Sequence, residues 1–217
     1  PSWDLAIMDG DGSCLANAGL SGAGSVTANT KASGRHYLKV SRAFFLNRAR
    51  YGLSVKLDSV EEAKELEPNN DKTSAQAIGF NQPIQGVVHG TEDKDSFVIE
   101  APSSGLLSVN LIVLEGNLTS TSLPVLEILS DDNKTLLTLS GDAVLGENNV
   151  ALREAGKVYM QLSNELVYDN FSYDLRLSFD RDFGGLEFEP NDLRESAQAL
   201  NLPAVVHGSY GSGRDVD

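Results

Sequence analysis

The sequence predicts an all-β protein, a jelly-roll-like β-sandwich in tandem repeats with a short linker helix or strand between them. Short segments in which apolar and polar residues alternate recur at regular intervals, as they do in half-buried strands. Turn residues such as Pro102–Gly105 separate these segments, and no segment with a helical period is long enough to cover a sheet. One acidic stretch also occurs twice, and internal repetition of this kind indicates repeated domains.

The repeat is carried by the stretch Glu65–Asp71, which reads Glu-Leu-Glu-Pro-Asn-Asn-Asp and returns as Glu-Phe-Glu-Pro-Asn-Asp at Glu187–Asp192. The offset is 122 positions, and Ser74–Ala77 returns as Ser196–Ala199 with the same offset. The predicted organisation follows from this spacing. It comprises the C-terminal part of a first repeat at 1–57, a linker at 58–64, a complete sandwich at 65–180, and a linker with the N-terminal part of a third repeat at 181–217.

The first repeat begins with a predicted strand, Trp3–Met8, that runs into the Asp-Gly-Asp-Gly sequence of Asp9–Gly12. We interpret this sequence as a hairpin turn, because an EF-hand loop would need a glutamate at its twelfth position. Residues 16–34 are rich in small and polar residues and predict a loop or a weak strand. The clean alternation of His36–Val40 and Tyr51–Val55 predicts two half-buried strands.

The equivalents of these last two strands lie 122 positions later, at Val158–Leu162 and Tyr173–Leu177. Tyr51 and Tyr173 occupy matching places, so both are predicted to be core or corner tyrosines with a hydrogen-bonded hydroxyl group.

The linker contains a short predicted helix over Ser59–Lys64, with Ser59 as its N-cap and Glu62 completing a capping box. Pro68 restricts Glu67 to extended geometry, so the chain is expected to leave the helical conformation before this point. The complete copy then contains eight predicted strands: Ile84–Val88, Ser96–Glu100, Leu106–Val113, Val125–Leu129, Leu136–Leu139, Val150–Arg153, Val158–Leu162 and Ser172–Phe179.

The acidic stretch has the chemistry of a cation site. In an extended chain Glu65, Glu67 and Asn69 project to one side, and their carboxylate and amide oxygens suit Ca²⁺ rather than Zn²⁺. A second acidic cluster, Asp93-Lys94-Asp95, follows the sequence Val87-Val88-His89-Gly90. The Val-Val-His-Gly sequence returns at Val205–Gly208, and the acidic cluster returns as Asp215-Val216-Asp217. Because the two clusters recur together across a loop of different length, we predict that they meet in space.

These motifs resemble a known family, the bacterial pre-peptidase C-terminal domains, which include the collagen-binding domains of clostridial collagenases. The resemblance is carried by E-x-E-P-N-[N/D], by S-A-Q-A-[I/L], and by V-x-G before a D-x-D turn. It implies a calcium-binding β-sandwich that acts outside cells as an accessory module without an active site.

The resemblance also implies two sets of calcium ligands. Which of Asp93 and Asp95 binds the ion stays open, and the neutral Asn70 stands where the third repeat has Asp192. The implied metal ligands are Glu65, Glu67, Asn69, Asn70, Asp93 and Asp95 in the complete copy, and Glu187, Glu189, Asn191, Asp192, Asp215 and Asp217 in the third.

Composition excludes several functions. A net charge of -14 and a pI near 4.5 argue against nucleic acid or an anionic membrane as partner, and no apolar run predicts membrane insertion. His89 and His207 are repeat equivalents at a strand end, and the usual catalytic motifs are absent, so we predict that the protein is not an enzyme. Paired carboxylates occur in glycosidases too, but here the strongest ones repeat at calcium-ligand spacing.

The predicted function is therefore a calcium-stabilised, non-catalytic module of a secreted or surface-attached bacterial protein, which serves as spacer and as adhesion or substrate-docking unit. Expected partners are an extracellular protein or polysaccharide, neighbouring repeats, or copies of the chain itself. One alternative is an accessory domain of a secreted peptidase that binds a collagen-like or polysaccharide substrate, for which Tyr159, Tyr168 and Phe171 are the candidate aromatic contacts. Another is a subunit that assembles end to end by strand complementation.

Overall fold

The computed structural model describes residues 2–31, 33–42, 50–59, 63–115, 124–165, 170–181, 185, 187–189, 191 and 193–208. Regular structure in these residues consists of β-strands and one short 3₁₀ turn, which confirms the all-β prediction. None of the described residues belongs to a helix with the length and apolar character needed to span a membrane.

A three-stranded antiparallel sheet forms the first region. Its strands are β1 (Ser2–Met8), β2 (Cys14–Ser21) and β3 (Tyr37–Arg42), in the order β2-β1-β3. The predicted turn after β1 is confirmed, because the Asp9 side chain accepts backbone N–H bonds from Asp11 (3.0 Å) and Ser13 (2.8 Å). Strand β2 lies where a loop or weak strand was predicted, because its alanines and glycine give almost no alternation for a sequence pattern to detect.

The prediction of a strand at Tyr51–Val55 is wrong, since residues 50–59 form no strand in the structure. The prediction that Tyr51 is a core tyrosine is wrong as well, because this residue is 60% exposed, and its ring meets that of Trp3 in a T-shaped contact with ring centroids 5.6 Å apart. Alternation makes a segment able to form a strand, but a strand also needs hydrogen-bonding neighbours.

The predicted linker helix falls largely on Val60–Glu62, which lie outside the described residues. Ala63 has φ of +69°, a left-handed conformation that ends any right-handed helix. The prediction of helix as far as Lys64 is therefore wrong at its C-terminal end.

The second region is a β-sandwich of two sheets, with strand orders β10-β7-β12-β5 and β4-β6-β11-β8-β9. All eight predicted strands are confirmed, and the short β4 and a 3₁₀ turn at Gly141–Val144 are additional. Every pairing is antiparallel except that of β4 with β6. The strands are β4 (Gln76–Ala77), β5 (Ile84–Val88), β6 (Lys94–Ala101), β7 (Gly105–Glu115), β8 (Pro124–Ser130), β9 (Thr135–Ser140), β10 (Gly146–Leu152), β11 (Gly156–Asn164) and β12 (Phe171–Asp180).

The core of the sandwich lies between the two sheets and is filled by alternate residues of each strand. Each fully buried aliphatic or aromatic side chain stabilises the fold by about 1.5–3 kcal/mol relative to exposure. Residues with almost no exposed surface include Val88, Phe97, Leu107, Val109, Ile128, Val144 and Tyr173.

The connection from β5 to β6 brings the chain to the candidate site. It turns at Gly90, whose φ of +77° favours glycine. Strand β6 then begins with Lys94 and Asp95, so the second acidic cluster lies at the end of the sandwich where this strand enters the sheet.

Candidate metal centre

The Glu-Pro-Asn stretch is held in place by its backbone. Glu67 forms an isolated parallel bridge with Thr30, in which the Glu67 N–H donates to Asn29 O (2.8 Å) and the Lys31 N–H donates to Glu67 O (3.0 Å). Pro68, which has no N–H to donate, comes directly after this bridge. Glu65 and Glu67 are both buried, which is unusual for glutamate and indicates that something compensates their charge.

The second acidic cluster is fixed by two short hydrogen bonds. Asp93 accepts the backbone N–H of His89 through Oδ2 (2.6 Å), and this bond closes the turn between β5 and β6. Asp95 accepts the hydroxyl proton of Tyr173 through Oδ2 (2.6 Å), deep in the sandwich. Tyr173 is 0% exposed, so the prediction of a core tyrosine with a hydrogen-bonded hydroxyl is confirmed for this residue.

The motif runs directly beside the start of β6. The Ser96 N–H donates to Asn69 O (2.9 Å), and the Lys94 N–H donates to Asn70 Oδ1 (3.1 Å). These two bonds flank Asp95. Asn69 is completely buried, whereas the amide oxygen of Asn70 is already engaged by the backbone.

Three carboxylates come together here, because Glu65, Glu67 and Asp95 each offer an oxygen within 4.8 Å of the others. At this spacing the negative charges repel each other, and burial strengthens the repulsion because the interior has a low dielectric constant. A divalent cation among these oxygens would turn the repulsion into attraction. The donor set is entirely oxygen, which fits Ca²⁺ and does not fit the nitrogen and sulfur preference of Zn²⁺.

Asp93 and Asp95 therefore have different surroundings. Asp95 lies with the two glutamates, while Asp93 bonds to the turn through one of its oxygens. Between these two aspartates, which the sequence leaves open as ligands, the geometry favours Asp95.

The second predicted ligand set shows a related arrangement. Asn191 donates through Nδ2 to Glu187 Oε1 (2.7 Å), and the Asn191 N–H donates to Glu189 Oε2 (2.9 Å). The Glu187 N–H in turn donates to His207 O (3.0 Å). The structure thus brings Glu187, Glu189 and Asn191 together, while Asp192, Asp215 and Asp217 lie outside the described residues.

The turn that follows each motif is also repeated. Ser74 bonds back to Asp71 O through its N–H (3.2 Å), and Ser196 bonds back to Leu193 O (2.9 Å) in the same way. The Asp71 carboxylate additionally accepts bonds from the hydroxyl of Thr73 and from the N–H and hydroxyl of Ser74, and these donors lower its pKa from 3.8 to about 2.

Two basic residues that sequence reasoning missed hold these segments against the sandwich. Lys72 Nζ lies 4.2 Å from the ring centroid of Tyr159 and donates to Asn133 Oδ1 (3.0 Å). Arg153 donates to the carbonyl groups of Phe188 (2.8 Å) and Ser196 (3.1 Å). All these partners lie far away in sequence, and isolated basic residues give no pattern that could reveal them.

The fold and the site together define a β-sandwich with a buried cluster of acidic side chains at one end. No protein-family model matches the chain, and no curated protein matches it. Among solved structures, the chain is similar to the pre-peptidase C-terminal domain of collagenase from Bacillus anthracis, with 15% sequence identity and a TM-score of 0.41. The similarity covers 52% of this chain and 98% of that one.

Proposed function

We propose that the protein is a calcium-stabilised, non-catalytic β-sandwich module of a secreted or surface-attached bacterial protein, in which it serves as a spacer and docking unit. The observation that carries this proposal is the buried cluster of Glu65, Glu67 and Asp95. Two of its members belong to a motif that occurs twice in the chain.

The tandem organisation has support from strand pairing. With the offset of 122 positions, β1 (Ser2–Met8) corresponds to β8 (Pro124–Ser130), and the strand order β2-β1-β3 corresponds to β9-β8-β11. Equal strand order is expected if the first sheet is part of another copy of the sandwich fold.

The proposed role of calcium is positional. An ion bound by Glu65, Glu67 and Asp95 would fix the entering linker to the start of β6 and so limit the freedom of the chain between repeats. Asn69 and its bond to Ser96 already hold the linker close to this strand. Oxygen sites in extracellular modules bind Ca²⁺ with dissociation constants of roughly 10⁻⁴–10⁻³ M, which suits a secreted or surface location.

His89 and His207 are repeat equivalents, and the backbone N–H of each forms a hydrogen bond: the His89 N–H donates to Asp93 Oδ2 (2.6 Å), and the His207 N–H donates to Gly185 O (2.6 Å). Their repetition at a strand end supports an architectural role, which fits a non-catalytic module.

Docking of a collagen-like substrate is less well supported than a spacer role. Phe171 is buried in the core, and Tyr159 lies half-buried beneath Lys72. Tyr168, the third aromatic candidate, lies outside the described residues. An aromatic docking patch built from these residues would need Phe171 at the surface.

The test is thermal unfolding of the wild-type chain and of Glu67→Gln, each in Ca²⁺ and in chelator. Calcium at a hundred times its dissociation constant should stabilise the wild type by about 2.7 kcal/mol. In chelator Glu67→Gln should be more stable than the wild type, because one of the repelling charges is removed. In Ca²⁺ the order should reverse.

Glu100→Gln is the matched control, since Glu100 is an exposed carboxylate on the same strand as Asp95. It should respond to calcium as the wild type does. An equal calcium response in the wild type and Glu67→Gln, or no response in either, would contradict the proposal.

A further inference from the structure

Lys72 fixes the turn that follows the Glu-Pro-Asn motif to the sandwich. Its ammonium group lies 4.2 Å from the ring centroid of Tyr159 on β11. It also donates to Asn133 Oδ1 (3.0 Å) and to the carbonyl oxygens of Ser130 (3.5 Å) and Asp131, which all lie where β8 turns into β9. One side chain thus joins the segment after the motif to two neighbouring strands of a sheet. We call this set of contacts the Lys72 anchor.

The environment of Lys72 differs from that of an ordinary surface lysine. Its side chain is 28% exposed, compared with 63% for Lys134 in the same β8–β9 region, which forms an ion pair with Asp132 (2.9 Å). A cation over an aromatic ring and a charged hydrogen-bond donor both interact more strongly when less water screens them. The Lys72 anchor is therefore expected to hold its segment more firmly than an exposed ion pair would.

The anchored segment lies directly beside the candidate cation site. The Ser96 N–H donates to Asn69 O (2.9 Å), so Asn69 is held next to Asp95. Lys72 is three residues further along the chain and belongs to a turn that is closed by backbone N–H bonds to the Asp71 carboxylate. Because this path is short and its turn is closed, fixing Lys72 limits the positions that Asn69 can take relative to β6.

Both residues of the cation–π contact recur in the repeat. Arg194 stands 122 positions after Lys72, and Tyr37 stands 122 positions before Tyr159. Arginine keeps the positive charge and can also stack on an aromatic ring. Neither position belongs to the acidic motif itself, so the pair of cation and tyrosine is a separate feature that the repeats share.

We propose that Lys72 is a positioning residue for the cation site, which holds residues 69–74 on the sandwich before the ion binds and so increases the affinity for Ca²⁺. An ion that enters a prearranged site does not have to order the chain. The apparent dissociation constant rises in proportion as the arranged fraction falls, so a fall to about a tenth weakens binding about tenfold. The inference rests on the proposed function, because it takes Glu65, Glu67 and Asp95 as the ligands.

The charge of Lys72 by itself would have the opposite effect. Removing a positive charge makes the local potential more negative and strengthens the attraction for Ca²⁺, whereas removing the anchor weakens binding. Lys134→Met is the matched control, because it removes the same charge from the β8–β9 region and leaves the contacts of Lys72 in place. Lys72→Arg introduces the residue found at the equivalent position of the repeat, Arg194.

The test is isothermal titration of Ca²⁺ into these variants and the parent chain, all carrying Glu189→Gln so that the second ligand set is one carboxylate short. Lys72→Met should bind Ca²⁺ about tenfold more weakly than the parent chain. Lys72→Arg should restore most of the affinity, and Lys134→Met should bind at least as tightly as the parent chain. Asn133→Gly keeps the left-handed backbone (φ +63°) and removes one acceptor of Lys72, so it should weaken binding by a smaller factor.

Hydrogen exchange in chelator measures the anchor without the ion. The Ser96 amide, which donates to Asn69 O, should exchange faster in Lys72→Met than in Lys134→Met. Unchanged calcium affinity in Lys72→Met, or an equal loss in Lys72→Met and Lys134→Met, would overturn the inference and leave the proposed function standing. A parent chain that binds no Ca²⁺ would overturn the proposed function and this inference with it.

Discussion

The segments Tyr51–Val55 and Tyr173–Leu177 have the same alternation of apolar and polar residues and opposite environments. In the sandwich Tyr173 and Leu175 are 0% and 2% exposed, while Tyr51 and Leu53 are 60% and 47% exposed. Strand β12 lies between β7 and β5, whereas residues 50–59 form no strand. The side chains are alike, so the neighbours that pair with them account for the difference.

The difference between these two segments shows that an alternating sequence is not sufficient to form a buried strand. Alternation gives a segment one apolar face, but burial of that face requires a second sheet, and the backbone requires paired strands. Matched substitutions at equivalent positions therefore test whether the environment of a residue, rather than its type, determines its contribution to the free energy of unfolding.

The largest expected difference is between Leu175→Ala and Leu53→Ala. The first substitution leaves a cavity in a closed core and should reduce the free energy of unfolding by about 3 kcal/mol. The second removes an exposed side chain and should change it by less than about 0.5 kcal/mol. Urea unfolding followed by far-UV circular dichroism measures both. Similar losses at the two positions would mean that Leu53 is buried in solution.

A smaller difference is expected for the two tyrosine hydroxyls. Tyr173→Phe removes the donor to Asp95 and leaves a buried carboxylate oxygen without that bond, which should cost about 1–3 kcal/mol. Tyr51→Phe should have no measurable effect on stability. Unfolding in chelator is the appropriate measurement, because a cation at Asp95 would change the cost. A neutral Tyr173→Phe substitution would contradict the role assigned to this hydroxyl.

Much of the sandwich could be predicted from the sequence because its strands are both patterned and paired. The predicted strand Ile84–Val88 agrees in both bounds with β5, and the other seven differ from the observed strands at their ends. Strand β2 lies in a region that was predicted only as a loop or a weak strand, because its small residues conceal the alternation. The prediction of a strand at Tyr51–Val55 is wrong for the opposite reason, because the alternation is present but these residues do not pair with a neighbouring strand.

The candidate site was predictable in its residue types and less so in its geometry. Repetition of the Glu-Pro-Asn motif identified Glu65 and Glu67, and the structure adds that Asp95 lies with them while Asp93 bonds to His89. The two aspartates are chemically identical and two positions apart, so only the path of the turn distinguishes them. The contacts of Lys72 with Asn133 and of Arg153 with Phe188 join residues that are distant in sequence, so no local sequence pattern predicts them.

The smallest expected effect concerns an ion pair that only one of the compared segments contains. Asp174 and Arg176 in β12 form a salt bridge of 2.9 Å, and their equivalents Gly52 and Ser54 carry no charge. The Arg176 guanidinium bonds to Asp174 and lowers the pKa of this carboxyl below its ordinary value of 3.8.

The folded-state pKa of Asp174 lies below that of the unfolded chain, so its stabilising contribution is complete above the ordinary pKa and is lost as pH falls through the folded value. Because the Arg176 side chain is largely exposed, a double-mutant cycle of Asp174→Asn with Arg176→Gln should give a coupling energy of only about 0.5 kcal/mol at neutral pH. The coupling should decrease as the pH is lowered below 3.8. A coupling that is independent of pH would show that the two side chains interact through packing and not through charge.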